Sequence, residues 1–423
     1  MSDFPKDFFW GAATSSHQVE GGNILNDWWE WETLGRTKEP SGKTCEHYLK
    51  FKEDFKLAKG LNHNCHRFSL EWSRIEPQQG RFSEEALSHY REVIVLLKSL
   101  NIEPIVTINH FTLPLWFCKK GGWEQSDSPE IFSVFVERVA KEYGDLVNYW
   151  LTLNEPMVYA YQSYFIGKWP PGKSNFSLFL KVVKNLIFAH VLSYQKIRLL
   201  IREKYSKDVR VGFSNHTLVF SPCHKGSLKD RISASLRHNM SNHFFVKAIM
   251  DGRVFLPGIF NERLPIKKAI DFIGINYYSR DFVRNAGFTI PKVLGEVCTL
   301  LHHRDAGRRS FIEWEIYPEG IYRILKEFSR YKLPLIITEN GICTEDDNER
   351  TEFIIGHLRE VKQAIGENIP VFGYIYWSLL DNFEWDKGFS PRFGLIEVDY
   401  KTQSRKIRNS ALEYAKICKT GNL

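Results

Sequence analysis

Two glutamates carry the sharpest chemical signal in the chain. Glu155 ends the run LTLNEP and Glu339 sits in IITENG. Each follows a β-branched apolar run directly, and the two lie 339 − 155 = 184 positions apart. Paired carboxyl groups can cleave a glycosidic bond: one protonates the leaving oxygen and the other attacks the sugar or activates water. A gap of about 5–5.5 Å gives retention and about 6.5–9.5 Å gives inversion, a distance that spacing along the chain does not set. Taken singly, Glu-Pro and Glu-Asn-Gly are also turn and capping signals.

Elements able to bring such a pair together are legible around it. Eight short, mostly apolar runs occur at 8–16, 65–72, 103–110, 147–154, 208–215, 271–278, 333–340 and 370–378. Amphipathic stretches separate them. Ser83 can cap the helix in which Leu87, Tyr90, Ile94 and Leu97 share a face, and Phe132, Phe135, Val136, Val139 and Tyr143 repeat the pattern. Further helical stretches cover about 178–205, 319–331, 351–366 and 407–418, and 283–310 reads as a long loop. Apolar strands alternating with helices indicate a parallel sheet covered on both faces. Eight of them predict a single α/β domain over 1–423, a (β/α)8 TIM barrel with elaborated βα loops. An open doubly wound sheet is the alternative, but no Gly-rich phosphate turn follows any strand. Six of the runs turn polar at their C-terminal ends (SSHQVE, NH, NEP, NYYS, TENG, WSLLDNFEW), the rim where barrel active sites lie.

Composition sets the outer limits. The 423 residues are 43% hydrophobic, 25% charged and 14% aromatic, an ordinary globular balance with aromatics to spare for a cleft. The formal net charge of +7 is spread among acidic residues along the whole chain, so no nucleic-acid partner is expected. The seven cysteines form no CxxC pair, which suits reduced thiols and a cytoplasmic location. No basic n-region opens the chain and no run of 18 apolar residues occurs, so neither export nor a membrane partner is expected. The HNCH run at 63–66 and the pair His302–His303 are read as core and loop packing, because zinc needs three or four convergent ligands. No metal is expected.

The motifs FFWGAATSSHQVEG, HRFSLEWSRI, NHFTLP, LTLNEP, FIGINYYS, EIYPEG, ITENG and YWSLLDNFEW with the following RFGL stand in that order from residue 8 to about 395. In them the chain resembles glycoside hydrolase family 1, the β-glucosidase and β-galactosidase family. The resemblance implies a retaining exo-β-D-glycosidase, a β-glucosidase in the first place with side activity on β-galactosides or β-fucosides. It would work by double displacement without metal or cofactor. Glu155 then matches the general acid/base and Glu339 the nucleophile. Arg67 and Tyr278 match the donors that keep the nucleophile ionised. Asn154 matches the residue that holds the sugar 2-hydroxyl, and Gln18, His110 and Glu384 the residues that bind other hydroxyls. Trp377 matches the platform under the sugar, Trp385 an indole donor and Phe393 an aromatic near the primary hydroxyl. Trp314 and Asn276 are placed on the aglycone side.

Expected partners are small β-glycosides or oligosaccharides, and a homo-oligomer is compatible with everything above. Two alternatives are a catalytically dead sugar-binding barrel, opposed by the presence of both glutamates, and a 6-phospho-β-glycosidase, opposed by Glu384 where phosphate-binding relatives usually carry Ser. A thioglycosidase would commonly have Gln at position 155. Three departures from the family pattern stand out. Phe111 follows His110 where the family often has Trp, which removes an indole donor. The chain is also short around 216–262 and in 283–310, both of which shape the aglycone entrance.

Overall fold

A computed structural model describes residues 4–298, 303 and 306–423. His302 of the His302–His303 pair, and part of the 283–310 segment, lie outside them.

The eight apolar runs form the parallel strands β1 (Phe9–Ala13), β2 (Cys65–Ser69), β3 (Glu103–Asn109), β4 (Tyr149–Asn154), β5 (Arg210–Pro222), β6 (Phe272–Arg284), β7 (Leu335–Asn340) and β8 (Val371–Trp377). Their order is β7-β8-β1-β2-β3-β4-β5-β6, and pairing of β6 with β7 closes the barrel. Outside lie α1 (His47–Gly60), α2 (Glu84–Ser99), α3 (Ser128–Tyr143), α4 (Phe176–Tyr205), α5 (Phe244–Asp251), α6 (Glu319–Phe328), α7 (Asp347–Gly366) and α8 (Asn409–Thr420).

Local chemistry explains the helix starts. The Oγ of Ser83 accepts from Ala86 N–H at 3.2 Å, Asn175 Oδ1 from Leu178 N–H at 3.0 Å, and Asp346 Oδ1 from Asn348 N–H at 2.9 Å. The predicted inner faces of α2 and α3 are buried throughout. Helix α4 is long and apolar enough to cross a bilayer by length and composition, but its apolar residues are spent on the protein: Phe179, Val183, Ile187 and Ile197 are buried in the outer core.

Two apolar layers result. One fills the space between strands and helices; a second, separate cluster occupies the barrel interior with Cys65, Ile105, Leu151, Ile336 and Ile375. The HNCH run obeys this alternation. Cys65 points inward, while His66 pairs with Thr14 Oγ1 at 3.0 Å and packs on Phe55 outside. At the N-terminal end Phe9, Tyr149, Phe272 and Phe372 meet edge to face, with Phe9–Tyr149 centroids 5.2 Å apart, and plug the barrel. The interior is therefore open to solvent at the opposite rim, where the polar strand ends converge.

Strands β5 and β6 overrun the predicted ends at 215 and 278. They continue as a paired ribbon through Val219↔Arg280 to Pro222↔Val283, past a register shift between Thr217 and Val219. The short strand Glu296–Cys298 adds antiparallel to β6, so part of the predicted 283–310 loop is sheet. The half-buried, mixed character of residues 216–222 hides this extension from an apolar-run reading.

Candidate active site

Each glutamate is aimed by a local irregularity. The β4/β5 register shifts between Leu151 and Asn154, and the β6/β7 register shifts between Ile337 and Glu339. Such shifts re-aim the side chains that follow. Glu155 itself sits in the left-handed region at φ 42°, ψ 56°, just before Pro156 opens the short helix Pro156–Ala160. A non-glycine residue there costs about 1–3 kcal/mol, a strain that persists where the surroundings fix it. Here Glu155 N–H donates to Ser214 O at 2.8 Å and Glu155 O accepts from Tyr159 N–H at 3.0 Å.

The carboxylates are joined by a buried polar chain. Thr338 Oγ1–H donates to Asn276 Oδ1 at 2.6 Å, which turns the Asn276 amide nitrogen toward Glu155 Oε1 (2.8 Å) and Asn154 Oδ1 (3.2 Å). Arg67 Nη2 donates to the same Asn154 oxygen at 2.6 Å, while its Nη1 pairs with Glu339 Oε1. Tyr278 O–H donates to Glu339 Oε2 at 2.6 Å. Glu339 thus has a donor on each oxygen, and each donor stabilises negative charge there.

Glu155 has the opposite setting. Burial, and then the charge of Glu339, push its carboxyl well above the usual range, outweighing the Asn276 bond and Arg67. With Oε1 occupied by Asn276, the acid proton belongs on Oε2. The same network sets a tautomer. Two donors fix Asn154 Oδ1 as acceptor, so Asn154 Nδ2 donates to His110 Nε2 at 3.1 Å. Burial, with Arg67 adding to it, holds His110 well below its ordinary pKa and hence neutral. Its proton therefore lies on Nδ1, which has no hydrogen-bond partner among the described residues.

Both glutamates open into a cavity of ≈ 560 Å³. Gln18, His110, Asn154, Tyr278, Trp314, Trp377, Glu384, Trp385 and Phe393 line it with them. Arg67 and Asn276 do not. Arg67 stands behind Glu339. Asn276 is a correction: the sequence puts it on the aglycone side, but it is fully buried behind Glu155, because closure of β6 on β7 pairs it with Glu339.

Residues 1–422 match the model of Glycosyl hydrolase family 1. The chain belongs to this family. A beta-glycosidase from Pyrococcus horikoshii is 40% identical with a TM-score of 0.91, covering 99% of this chain and 95% of that one. The beta-glucosidase from Thermotoga maritima in complex with deoxynojirimycin is 32% identical with a TM-score of 0.92, and all of both chains is covered. A 1,4-beta-D-glucan glucohydrolase of Thermotoga neapolitana is 33% identical over 464 residues, again over the whole of both.

In this family 1 barrel the cavity has a polar floor and an apolar wall. On the floor, Gln18 Nε2 donates to Phe383 O (2.9 Å), Asn382 Oδ1 (3.0 Å) and Glu384 Oε2 (3.3 Å), and Ser15 Oγ–H donates to Gln18 Oε1 at 2.7 Å. Burial pushes Glu384 up to about 7, with Lys387 pulling the other way. Glu384→Gln is expected to lower kcat/KM on an aryl β-glucoside about 100-fold, the cost of a charge-assisted hydrogen bond. Steady-state kinetics beside wild type checks this; a change under threefold would remove Glu384 from the sugar's contacts.

Phe111, at φ 73°, packs between Trp169 (centroids 4.9 Å) and Trp385 (5.3 Å). The Trp169 indole N–H is spent on Asp386 Oδ1 at 3.1 Å, so Trp169 does not replace the indole donor that Phe111 lacks. The wall is what sequence reasoning missed. Val158 and Phe165 line it from the helical segment after β4, Leu218 and Phe220 from the β5 extension, Met240 from the β5–β6 excursion and Val297 from the short strand after β6. The available signal was the apolar side chains scattered outside the predicted strands and helices.

Proposed function

We propose that this family 1 glycosidase is an exo-acting β-glucosidase whose preferred aglycones are apolar. The catalytic roles follow from the charge division. Glu339, with Arg67 and Tyr278 on its oxygens, attacks the anomeric carbon, and Glu155, kept protonated, gives its proton to the departing oxygen. Water then hydrolyses the glycosyl-enzyme with Glu155 as base. Asn154 holds the sugar 2-hydroxyl, Gln18, Glu384, His110 Nδ1–H and Trp385 bind the remaining hydroxyls, and Trp377 carries the sugar's C–H face, with Phe393 by the primary hydroxyl. Trp314 and the apolar wall receive the aglycone. The observation that carries the reading is the raised acid opposite a doubly donated carboxylate in one cavity.

Glu384 beside Lys387 opposes a 6-phosphorylated sugar, since a carboxylate next to the phosphate repels it. All seven cysteines stand as thiols, which supports a reducing, cytoplasmic setting.

Initial rates on nitrophenyl β-glucoside, β-galactoside, β-fucoside and β-mannoside, with cellobiose and lactose, test the glycone, and β-glucoside is expected to lead. Alkyl β-glucosides test the wall. From methyl to octyl, kcat/KM is expected to rise by up to about fourfold per buried methylene. A flat alkyl series sinks the apolar aglycone and leaves the glycosidase standing.

A further inference from the structure

Away from the sugar floor, the β5–β6 ribbon gathers a second set of reactive side chains. Cys223 directly follows β5, and its N–H donates to Val283 O at 2.8 Å. Cys298 ends the short strand Glu296–Cys298 and pairs with Phe282 of β6. His303 lies flat on the Phe282 ring, centroids 3.7 Å apart and 8° from parallel. One ligand atom from each of Cys223, Cys298 and His303 lies within 4.8 Å of the other two. Cys223 and Cys298 are buried, 8% and 9% exposed.

Two buried thiols alone would be small apolar packing. An imidazole held against them by stacking makes a donor set for a soft metal. Tetrahedral zinc, with arms of about 2.3 Å to sulfur and about 2.0–2.1 Å to nitrogen, places its donors about 3.5–3.8 Å apart. From at most 4.8 Å apart, the three atoms need close by no more than about 1.3 Å to reach that spacing, within the range of side-chain rotation. The electrostatics agree. Asp230, 4% exposed, has a carboxylate oxygen within 4.8 Å of the same Cys223 sulfur, and its charge favours a cation there. Two other convergent sets occur among the described residues: Cys223 with His224 and Asp230, in which Asp230 Oδ2 is already taken by His224 Nδ1 at 2.8 Å, and His238, His243 and Glu327. Both Nε2 atoms reach Glu327 at 2.7–2.9 Å, while Tyr331 and Asn242 take the Nδ1 atoms, a finished hydrogen-bond network.

We propose that Cys223, Cys298 and His303 bind a divalent thiophilic cation of the zinc class, with water as fourth ligand. Binding replaces two thiol protons, which go to solvent, with two metal–sulfur bonds, and involves no oxidant. Because Leu294, Gly295 and Val297 line the cavity, the metal would pin that wall of the entrance to the ribbon.

Cobalt(II) added to the reduced full-length protein is the probe. One equivalent per chain is expected to give thiolate-to-cobalt absorption in the near ultraviolet and strong visible bands, both erased by one equivalent of zinc. Cys223→Ser and Cys298→Ser are each expected to weaken cobalt binding about 100-fold or more, and His303→Gln to shift the visible bands. Cys118→Ser, whose sulfur lies beside Leu113 elsewhere in the fold, is expected to keep the spectrum unchanged. Circular dichroism identifies folded variants, and the two cysteine variants stand in for each other. Absence of a thiolate band, or a band that survives in a folded Cys223→Ser or Cys298→Ser protein, overturns the proposal. So does a Cys223–Cys298 disulfide whose reduction restores no cobalt binding.

Discussion

Glu339→Gly is expected to lose about 10⁵-fold or more of the turnover of an aryl β-glucoside, and azide to restore part of it as the α-glucosyl azide. Removing the nucleophile leaves no group to capture the sugar cation from below. The donors remain, however. Arg67 Nη1 and the Tyr278 hydroxyl, which met the two carboxylate oxygens, now face a hole of carboxylate size. An anion is drawn into that hole, and azide there attacks the face that Glu339 would have attacked. The product is inverted because the second displacement never occurs. Chromogenic assays with and without azide, and product configuration by nuclear magnetic resonance, check both halves. A variant that keeps near-wild-type turnover, or one rescued to the β-azide, removes Glu339 from the nucleophile's place.

What the sequence disclosed about this site, and what it hid, divides along physical lines. The strands were legible because parallel strands covered on both faces must be apolar, and Glu155 and Glu339 because each breaks such a run at its end. The Ser83 cap made the start of α2 equally plain. Asn276 was misplaced because its position depends on register. Only closure of β6 on β7, with the shift before Glu339, sets Asn276 against both glutamates, and no pattern within INYY encodes that. The β5–β6 extension was missed because its residues are half-buried and mixed in polarity. The apolar wall was missed because its members come from four separate segments that converge only in the fold. The convergence of Cys223, Cys298 and His303 was hidden for the same reason, since no local spacing links the end of β5 to the far side of β6.

Glu155→Ala separates leaving groups by their need for a proton. Loss of a general acid typically costs 10²–10⁴-fold, so an alkyl β-glucoside is expected to lose about that factor in kcat/KM. A dinitrophenyl glucoside, whose leaving group departs unprotonated, is expected to lose little in the glycosylation step. Deglycosylation then lacks its base, and azide, attacking the glycosyl-enzyme from the side Glu155 vacated, is expected to give the β-azide. The pH profile carries the second signature. Glu155 is raised chiefly by burial and next by the charge of Glu339, so wild-type kcat/KM falls as pH rises through the Glu155 pKa and its proton is lost. The variant is expected to lose that basic limb. Glycosylation of Glu339 removes its negative charge and with it one cause of the raised value, so Glu155 gives up its proton more readily once the intermediate has formed. That shift lets one carboxyl serve as acid in the first step and base in the second. Equal losses on the alkyl and dinitrophenyl substrates, or an unchanged basic limb, would place the proton donor elsewhere in the cavity.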